Sequence, residues 1–183
     1  MNPLSCSLRS GIHRFDGVMA LSDGENLRTR TGIIINAPKW FISSLPADRL
    51  LGELYAGRGK FSDVLSVIRR GRPRDFDWAR MTYRVFDAPD VKGSFEQRLS
   101  SCCQTLLAVQ DIWRGDEEKP KFAPKESPIL IAMQTQVESK ESYDKFHAEL
   151  VAQGAEGTML RRPKSFYNTG RSTDMIRRKD WFQ

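Results

Sequence analysis

Short apolar runs separated by turn residues dominate the first half of the chain, and this pattern predicts β-strands. Residues 18–21 are apolar and are followed by Asp23-Gly24, a pair typical of tight hairpin turns, so residues 27–35 are expected to be the returning strand. The same pattern predicts three further strands, at residues 51–55, 81–86 and 129–133.

Three other segments carry apolar residues at the spacing of a helix. They are residues 61–68, 95–106 and 143–150. Ser94 and Gln97 are placed for a capping box at the start of the second, and Gly154 is placed just past the end of the third. Strands with interspersed helices predict the α+β class. The charged segment 114–127 is expected to be a surface loop.

Length and composition predict one soluble domain. The chain has 183 residues, of which 39% are hydrophobic and 28% are charged, and its mean hydropathy is -0.51. No apolar run approaches the ~20 residues of a membrane span, so we expect no membrane partner. Residues 1–11 lack the apolar core of a secretory signal. We therefore expect an intracellular protein, in a compartment that the sequence does not specify.

The positive charge is concentrated in two segments. The net charge is +6 and the pI is about 9.4. Residues 58–84 contain eight Lys or Arg against three acidic residues, and residues 157–183 contain seven against two. Two basic segments in one domain suggest an anionic partner, and nucleic acid is the obvious candidate. A solvated basic surface is the alternative that charge alone leaves open.

Several polar motifs follow one another along the chain. Each has an ordinary structural interpretation when it is taken alone: an Asp-Gly pair makes a turn, Glu53 faces solvent on a strand, and Phe86 packs in a core. The motifs, in order, are Asp16-Gly17, Thr29-Arg30-Thr31-Gly32, Gly52-Glu53-Leu54-Tyr55, Gly57-Arg58-Gly59, Tyr83-Arg84-Val85-Phe86-Asp87, Phe95-Glu96-Gln97-Arg98-Leu99, Glu156-Gly157 and Gly170-Arg171-Ser172.

In this order and spacing, over about residues 12–180, the motifs resemble the nucleotidyltransferase (adenylation) domain of small ATP-dependent DNA ligases. The resemblance implies an ATP-grasp-like domain of antiparallel β-sheets flanked by helices, expected at residues 12–183 after an N-terminal extension of residues 1–11. It implies ATP and Mg²⁺ as cofactors and nicked duplex DNA as the partner. Ligases of this family transfer AMP from ATP to a lysine and then to a 5′-phosphate, after which a 3′-hydroxyl displaces it. The implied roles are DNA replication, repair and recombination.

The resemblance also assigns roles to single residues. Glu53 matches the glutamate that holds the adenylate ribose, and Phe86 matches the aromatic residue that stacks on adenine. Arg177 and Lys179 match the pair that binds the ATP phosphates, and Glu156 matches a metal-binding glutamate. Three arginines are expected to contact DNA phosphates: Arg30, Arg58 and Arg171.

The chain departs from the family at the catalytic motif. Asp16 is kept, but Arg14 stands where the family has its nucleophilic lysine. A guanidinium is strongly basic and its lone pairs are delocalised, so it cannot supply the neutral amine that covalent catalysis needs. Met19 and Leu51 replace a family arginine and aspartate, and Arg177 replaces a lysine. These departures predict an impaired enzyme.

Four functions stay open at this point. The first is a ligase-like adenylation domain impaired by Arg14, and the second is an inactive relative that binds nucleotide or nicked DNA. The third is an interaction module that reuses the fold. The fourth, an RNA ligase or capping enzyme, agrees less well with the Gly57-Arg58-Gly59 motif and with residues 95–99. We also expect that the OB-fold domain of the family is absent, which leaves open a separate OB-fold protein as a partner.

Overall fold

The computed structural model describes residues 9–117, 119–170 and 172–179. Within these ranges the chain forms two β-sheets and five helices. The elements, in chain order, are β1 (Arg9–His13), β2 (Val18–Ser22), β3 (Leu27–Thr29), β4 (Ile34–Ile35), α1 (Lys39–Ser43), β5 (Leu50–Tyr55), α2 (Phe61–Ile68), α3 (Asp75–Trp78), β6 (Thr82–Asp87), α4 (Phe95–Gly115), β7 (Ile129–Ile131), β8 (Gln134–Val137), α5 (Lys140–Ala152), β9 (Gly157–Arg161) and β10 (Met175–Lys179). The predicted α+β class is confirmed.

The larger sheet has six strands in the order β4-β3-β2-β5-β6-β7. Its pairs are antiparallel except β6 and β7, which run parallel. One face packs against helices, with Leu54, Tyr83 and Val85 fully buried there. Burial alternates along β5 and β6, so every second side chain points away from this core. The second face is therefore free to carry polar chemistry.

The single strand predicted at residues 27–35 is wrong. The chain turns within it: β3 ends at Thr29 and β4 begins at Ile34, and the two pair antiparallel. Gly32 has a φ of 85°, a left-handed conformation that glycine adopts without steric cost. The residues before Gly32 are polar but include Thr29 and Thr31, which favour strands, so the residue pattern alone does not reveal the turn.

The smaller sheet has four strands in the order β10-β9-β1-β8, all antiparallel. Helix α5 covers one face, where Val137, Tyr143 and Leu160 are buried together. Strand β1 begins at Arg9, inside the range predicted to be an N-terminal extension. It lies between β8 and β9, so residues from both ends of the chain build this sheet.

The predicted helix caps are confirmed. Ser94 and Gln97 form a capping box at the start of α4, and Gly154 follows α5 with a φ of 82°. Helix α4 continues to Gly115, beyond the predicted end at residue 106, so the loop starts slightly later than expected. No helix in the described ranges has the length and apolar character that crossing a bilayer requires.

Candidate functional site

The connection from β1 to β2 carries the catalytic-motif residues and passes from the smaller sheet to the larger one. We call the region around this connection the sheet junction, defined by Arg14, Asp16, Glu53 and Glu156. The backbone N–H of Arg14 donates to the carbonyl of Gly157 at 3.1 Å, which extends the pairing of β1 with β9 by one residue. Arg14 is therefore held beside the residue that precedes β9, namely Glu156.

Arg14 and Glu156 form an ion pair at the sheet junction. Nη1 of Arg14 donates to Oε2 of Glu156. The Arg14 side chain is 25% exposed and that of Glu156 is 40% exposed, so water only partly screens the pair. The guanidinium thus neutralises the carboxylate that the sequence assigned to metal binding.

Glu53 enters the sheet junction from the centre of β5, on the face that points away from the core. It lies opposite Met19 of β2 and Arg84 of β6. Burial raises the pKa of Glu53 to about 7, and the negative charges of Glu156 and Asp16 act in the same direction. A hydrogen bond with the backbone of Gly17 and the charge of Arg14 oppose this rise.

Gly17 is required by the close approach of two backbones. A Cβ at this position would lie 2.2 Å from the carbonyl oxygen of Leu54 and 2.9 Å from Cγ of Glu53. The Asp16-Gly17 pair therefore forms a close backbone contact with β5 as well as a bend in the chain. It lets the chain pass directly over β5, which brings the backbone of Gly17 and the Glu53 carboxyl group together.

An aromatic and cationic cluster beside the junction was missed at the sequence level. The His13 and Phe15 rings are 4.7 Å apart, and the Phe15 and Tyr55 rings are 5.2 Å apart. The Arg84 guanidinium is 5.9 Å from the Phe15 ring. Burial, with the charges of Arg58 and Arg84, lowers the pKa of His13 to about 4. The period-two pattern of β5 and β6 was the available signal, since it puts Tyr55 and Arg84 on the face of Glu53.

Phe86 lies on the same face of β6 as Arg84. It is half-buried and is absent from the main hydrophobic core, so the simple core interpretation of this residue is wrong. Leu51 pairs with Asp87 while Gly52 pairs with Val85, which leaves Phe86 as the extra residue of a β-bulge. Bulges redirect side chains next to functional sites. The arrangement makes the ring available to a ligand on this face.

Arg177 and Lys179 lie on β10, opposite Met159 and Gly157 of β9. The residue between them, Arg178, pairs with Asp144 of α5 at 2.6 Å. Because side chains alternate along a strand, Arg177 and Lys179 point away from α5. The register also sets Lys179 beside Gly157, next to the Glu156 end of the sheet junction.

The three arginines assigned to DNA fall in different places. Arg30 is exposed in the turn between β3 and β4. Arg58 is exposed in the loop between β5 and α2, and its Nη1 lies 3.7 Å from the Cβ position of Gly154. Arg171 lies outside the described residues. The structure therefore brings Arg58, but not Arg30, close to the end of α5.

The carboxylates of the described residues are not arranged as a magnesium site. In the described ranges, no group of three or more His, Cys, Asp and Glu side chains is arranged to hold a metal ion. Glu156 is neutralised by Arg14, and burial keeps Glu53 partly protonated at neutral pH. Mg²⁺ prefers several hard oxygen ligands in octahedral geometry. The donors of this arrangement do not fit that requirement.

A buried ionic network connects the two sheets beside the site. Asp87, at the end of β6, accepts from Nε of Arg98 at 2.7 Å and from Nη1 of Arg161 at 2.5 Å. Asp87 and Arg98 have no exposed side-chain surface. Nη1 of Arg98 also donates to the carbonyls of Gly93 and Ser165. The partners come from α4 and β9, so the network fixes the larger sheet relative to the smaller one.

Comparisons with known proteins agree with this architecture. No protein-family model matches the chain. A protein described as DNA ligase, from Haemophilus influenzae (strain ATCC 51907 / DSM 11121 / KW20 / Rd), is 29% identical over 166 residues, which are 91% of this chain and 56% of that protein. The chain thus spans little more than half of that relative.

Solved DNA ligase structures share the fold. A structure described as "DNA binding with a minimal scaffold: Structure-function analysis of Lig E DNA ligases" aligns with a TM-score of 0.79 and 27% identity, over 94% of this chain and 62% of that one. Chlorella virus DNA ligase-adenylate aligns with a TM-score of 0.73 and 16% identity, over 94% of this chain and 60% of that one. The fold is that of the nucleotidyltransferase domain of ATP-dependent DNA ligases. In sequence, the chain is similar to the Haemophilus influenzae DNA ligase.

Proposed function

We propose that the chain is a DNA ligase-like adenylation domain that binds ATP and nicked duplex DNA, and that Arg14 impairs its covalent first step. The observation that supports this most directly is the convergence of Arg14, Asp16, Glu53 and Glu156 at the sheet junction of a ligase fold. The four residues come from three separate parts of the sequence. Asp16, Glu53 and Glu156 match the family motifs, and Arg14 stands at the position of the nucleophile.

Arg14 is the reason for the impairment. The lone pairs of a guanidinium are delocalised over the planar group, so it offers no free electron pair to the α-phosphate of ATP. The ion pair with Glu156 holds the charge in place. Arg14 can bind a phosphate as a cation, but it cannot form the enzyme-adenylate that a lysine forms.

The remaining pocket residues suit a nucleotide. Glu53, with a pKa of about 7, can accept or donate hydrogen bonds to ribose hydroxyls at neutral pH. Phe86 offers an aromatic face for adenine, and Arg177 and Lys179 offer cations for the phosphates. The relatives support ATP as the nucleotide, because one matching structure is the bacteriophage T7 ligase in complex with ATP, with a TM-score of 0.66.

The proposal also includes the binding of Mg²⁺ and of nicked duplex DNA. Since the described carboxylates do not fit a magnesium site, Mg²⁺ would enter bound to the ATP phosphates. Nicked duplex DNA would meet Arg30, Arg58 and Arg171. Participation in DNA replication, repair or recombination follows from the likeness to ligases. An OB-fold protein as a separate partner is part of the same proposal.

A second candidate function is supported by the Arg14–Glu156 ion pair. The pair satisfies both charges at the centre of the site without any ligand, as expected of a protein that no longer carries out the first step. Such an inactive relative would still bind nucleotide or nicked DNA without forming a covalent bond.

One experiment distinguishes these functions. The chain, Arg14→Lys and the control Arg49→Lys are incubated with ATP labelled at the α-phosphate and Mg²⁺, then run on a denaturing gel. We expect no retained label on the original chain and none on Arg49→Lys. Label on Arg14→Lys supports the impaired ligase-like domain. Absence of label on Arg14→Lys, with ATP binding retained by equilibrium dialysis, supports the inactive relative. Label retained on the original chain contradicts both.

A further inference from the structure

Helix α2 has a polar stripe that starts beside the sheet junction. The stripe consists of polar residues at intervals of four: Arg58, Ser62, Ser66 and Arg70. Ser62 and Ser66 lie in the helix and Arg70 lies just after it, so this spacing puts them along one side of the helix. The opposite side is apolar and packs on the core, where Val64 is fully buried. The eight residues of α2 span about 12 Å, so the stripe leads away from the junction over that distance.

A groove of about 510 Å³ follows this stripe. It is lined by Ser62, Leu65, Ser66, Arg69 and Arg70. Hydroxyl and guanidinium groups are common ligands of nucleic-acid phosphates. This lining contains no aromatic residue, and Leu65 is its one apolar side chain. The groove therefore lacks the aromatic anchors typical of a protein-binding surface.

The acidic residues next to the groove are already engaged with other groups. Asp77 pairs with Arg70 at 3.0 Å, and Oδ1 of Asp75 accepts from Nε1 of Trp40 at 2.8 Å. Neither carboxylate is therefore free to neutralise the positive charges of Arg69, Arg72 and Arg74. Helix α2 itself carries one charged residue, Asp63, which pairs with Lys60 at 3.2 Å. Four of the eight basic residues of residues 58–84 lie in the segment that directly follows the helix, at Arg69, Arg70, Arg72 and Arg74.

That segment holds three exposed arginines on a tethered backbone. Arg69, Arg72 and Arg74 are exposed, and none has a carboxylate oxygen within 4 Å among the described residues. Nδ2 of Asn36 donates to the carbonyl of Gly71 at 3.4 Å, which connects the segment to the end of β4. The arginines therefore project from a backbone fixed to the larger sheet.

We propose that these residues form a second DNA-backbone contact beside the nick-facing site. The α2 surface, defined by Ser62, Ser66, Arg69, Arg72 and Arg74, binds the phosphates of the duplex flanking Arg58. One DNA strand carries a charge about every 3.4 Å along the axis, so the ~12 Å of α2 passes three or four phosphates. The inference rests on the proposed function only in taking duplex DNA as the partner.

Salt-dependent DNA binding tests the proposal. Fluorescence anisotropy measures binding of intact and nicked duplexes of 24 base pairs from about 50 to 200 mM salt. The test variant is Arg69→Gln/Arg72→Gln/Arg74→Gln. The control removes the same charge from exposed lysines on other elements, in Lys121→Gln/Lys125→Gln/Lys145→Gln. We expect the slope of log K against log salt to fall by about 2 to 3 in the test variant and by less than about 1 in the control.

A second variant tests the groove itself. Ser62→Asp/Ser66→Asp places two anions where phosphates are proposed to lie, and we expect it to weaken binding about tenfold or more at 100 mM salt. Equal weakening by the arginine and lysine triple variants would show that only total charge matters and would overturn the proposal. Displacement of DNA by polyglutamate at equal charge concentration would assign the surface to acidic proteins instead.

The same measurements separate this inference from the proposed function. The α2 variants could weaken DNA binding while the chain binds nicked and intact duplex equally well. That result would contradict the ligase-like function and support the α2 surface as a DNA contact. Alternatively, the chain could prefer nicked duplex while the α2 variants bind DNA as the lysine control does. That result would contradict the α2 surface as a DNA contact and support the proposed function.

Discussion

Oδ2 of Asp87 accepts a hydrogen bond from Nη1 of Arg161 at 2.5 Å, and this contact joins the last residue of β6 to the last residue of β9. Asp87 also holds Arg98, which is completely buried. One carboxylate therefore accepts hydrogen bonds from two guanidinium groups at the place where the larger and smaller sheets meet. Phe86 precedes Asp87 directly, so the same network fixes the end of the strand that presents the ring.

Asp87→Asn is expected to destabilise the fold by about 3 to 5 kcal/mol, because it leaves the buried Arg98 without its charge partner. Urea unfolding measures the difference in the free energy of unfolding. Asp90→Asn is the matched control, since Asp90 pairs with Arg49 at 3.5 Å on the exposed surface and should change stability by less than about 1 kcal/mol. Similar stabilities of the two variants would contradict a structural role for the Asp87 network.

Thr158 is a second buried polar connection, between β9 and α5. Its hydroxyl oxygen is 2.9 Å from the Tyr143 hydroxyl and 2.8 Å from Nδ1 of His147. Thr158→Val keeps the shape but removes both hydrogen bonds, and we expect a loss of about 1 to 3 kcal/mol. Thermal unfolding of Thr105→Val provides the comparison, because Thr105 bonds Asp48 at the surface. A Thr158→Val variant as stable as the original chain would exclude this contribution.

The elements that the sequence predicted best are those with a local signal. The capping box of α4 and the glycine after α5 are read from a few neighbouring residues. The hairpin at Asp23-Gly24 was predicted, but the extra turn at Gly32 was not, because the threonines before it favour strands. Strand β1 carries no strong pattern of its own and becomes a strand only between β8 and β9.

The site shows the same division between local and long-range information. The motifs named candidate site residues, but no local pattern indicates that Arg14 pairs with Glu156, since the two are 142 positions apart. The neutralisation of the predicted metal ligand is therefore visible only in the structure. The Phe86 side chain is a similar case, because its exposure depends on a bulge created by pairing with β5.

Gly17→Ala tests the close approach of the β1–β2 connection to β5. The added methyl group would lie 2.2 Å from the carbonyl oxygen of Leu54, so the backbone has to move. We expect a loss of at least about 2 kcal/mol in urea unfolding. Gly71→Ala is the control: a Cβ there meets nothing within 4 Å, and its cost should stay below about 0.5 kcal/mol. Equal tolerance of both substitutions would contradict the packing described for Asp16-Gly17.

Glu53 should make stability depend on pH. Burial raises its pKa to about 7 from the ordinary value of 4.5, while Arg14 opposes this and Asp16 and Glu156 reinforce it. The folded chain therefore binds more protons than the unfolded chain between these values, and the stabilisation present below pH 4.5 is lost as the pH rises through 7. Removing this group with Glu53→Gln should flatten the decline.

Urea unfolding at pH 5, 6, 7 and 8 measures that decline. Relative to Glu53→Gln, the original chain should lose on the order of 1 to 3 kcal/mol between pH 5 and pH 8. Glu25→Gln, exposed in the turn between β2 and β3, should follow the original chain at every pH. Parallel curves for the original chain and Glu53→Gln would mean that Glu53 ionises at its ordinary pKa. In that case Glu53 would be a full anion at neutral pH, and its proposed hydrogen bonds to ribose hydroxyls would be those of an acceptor alone.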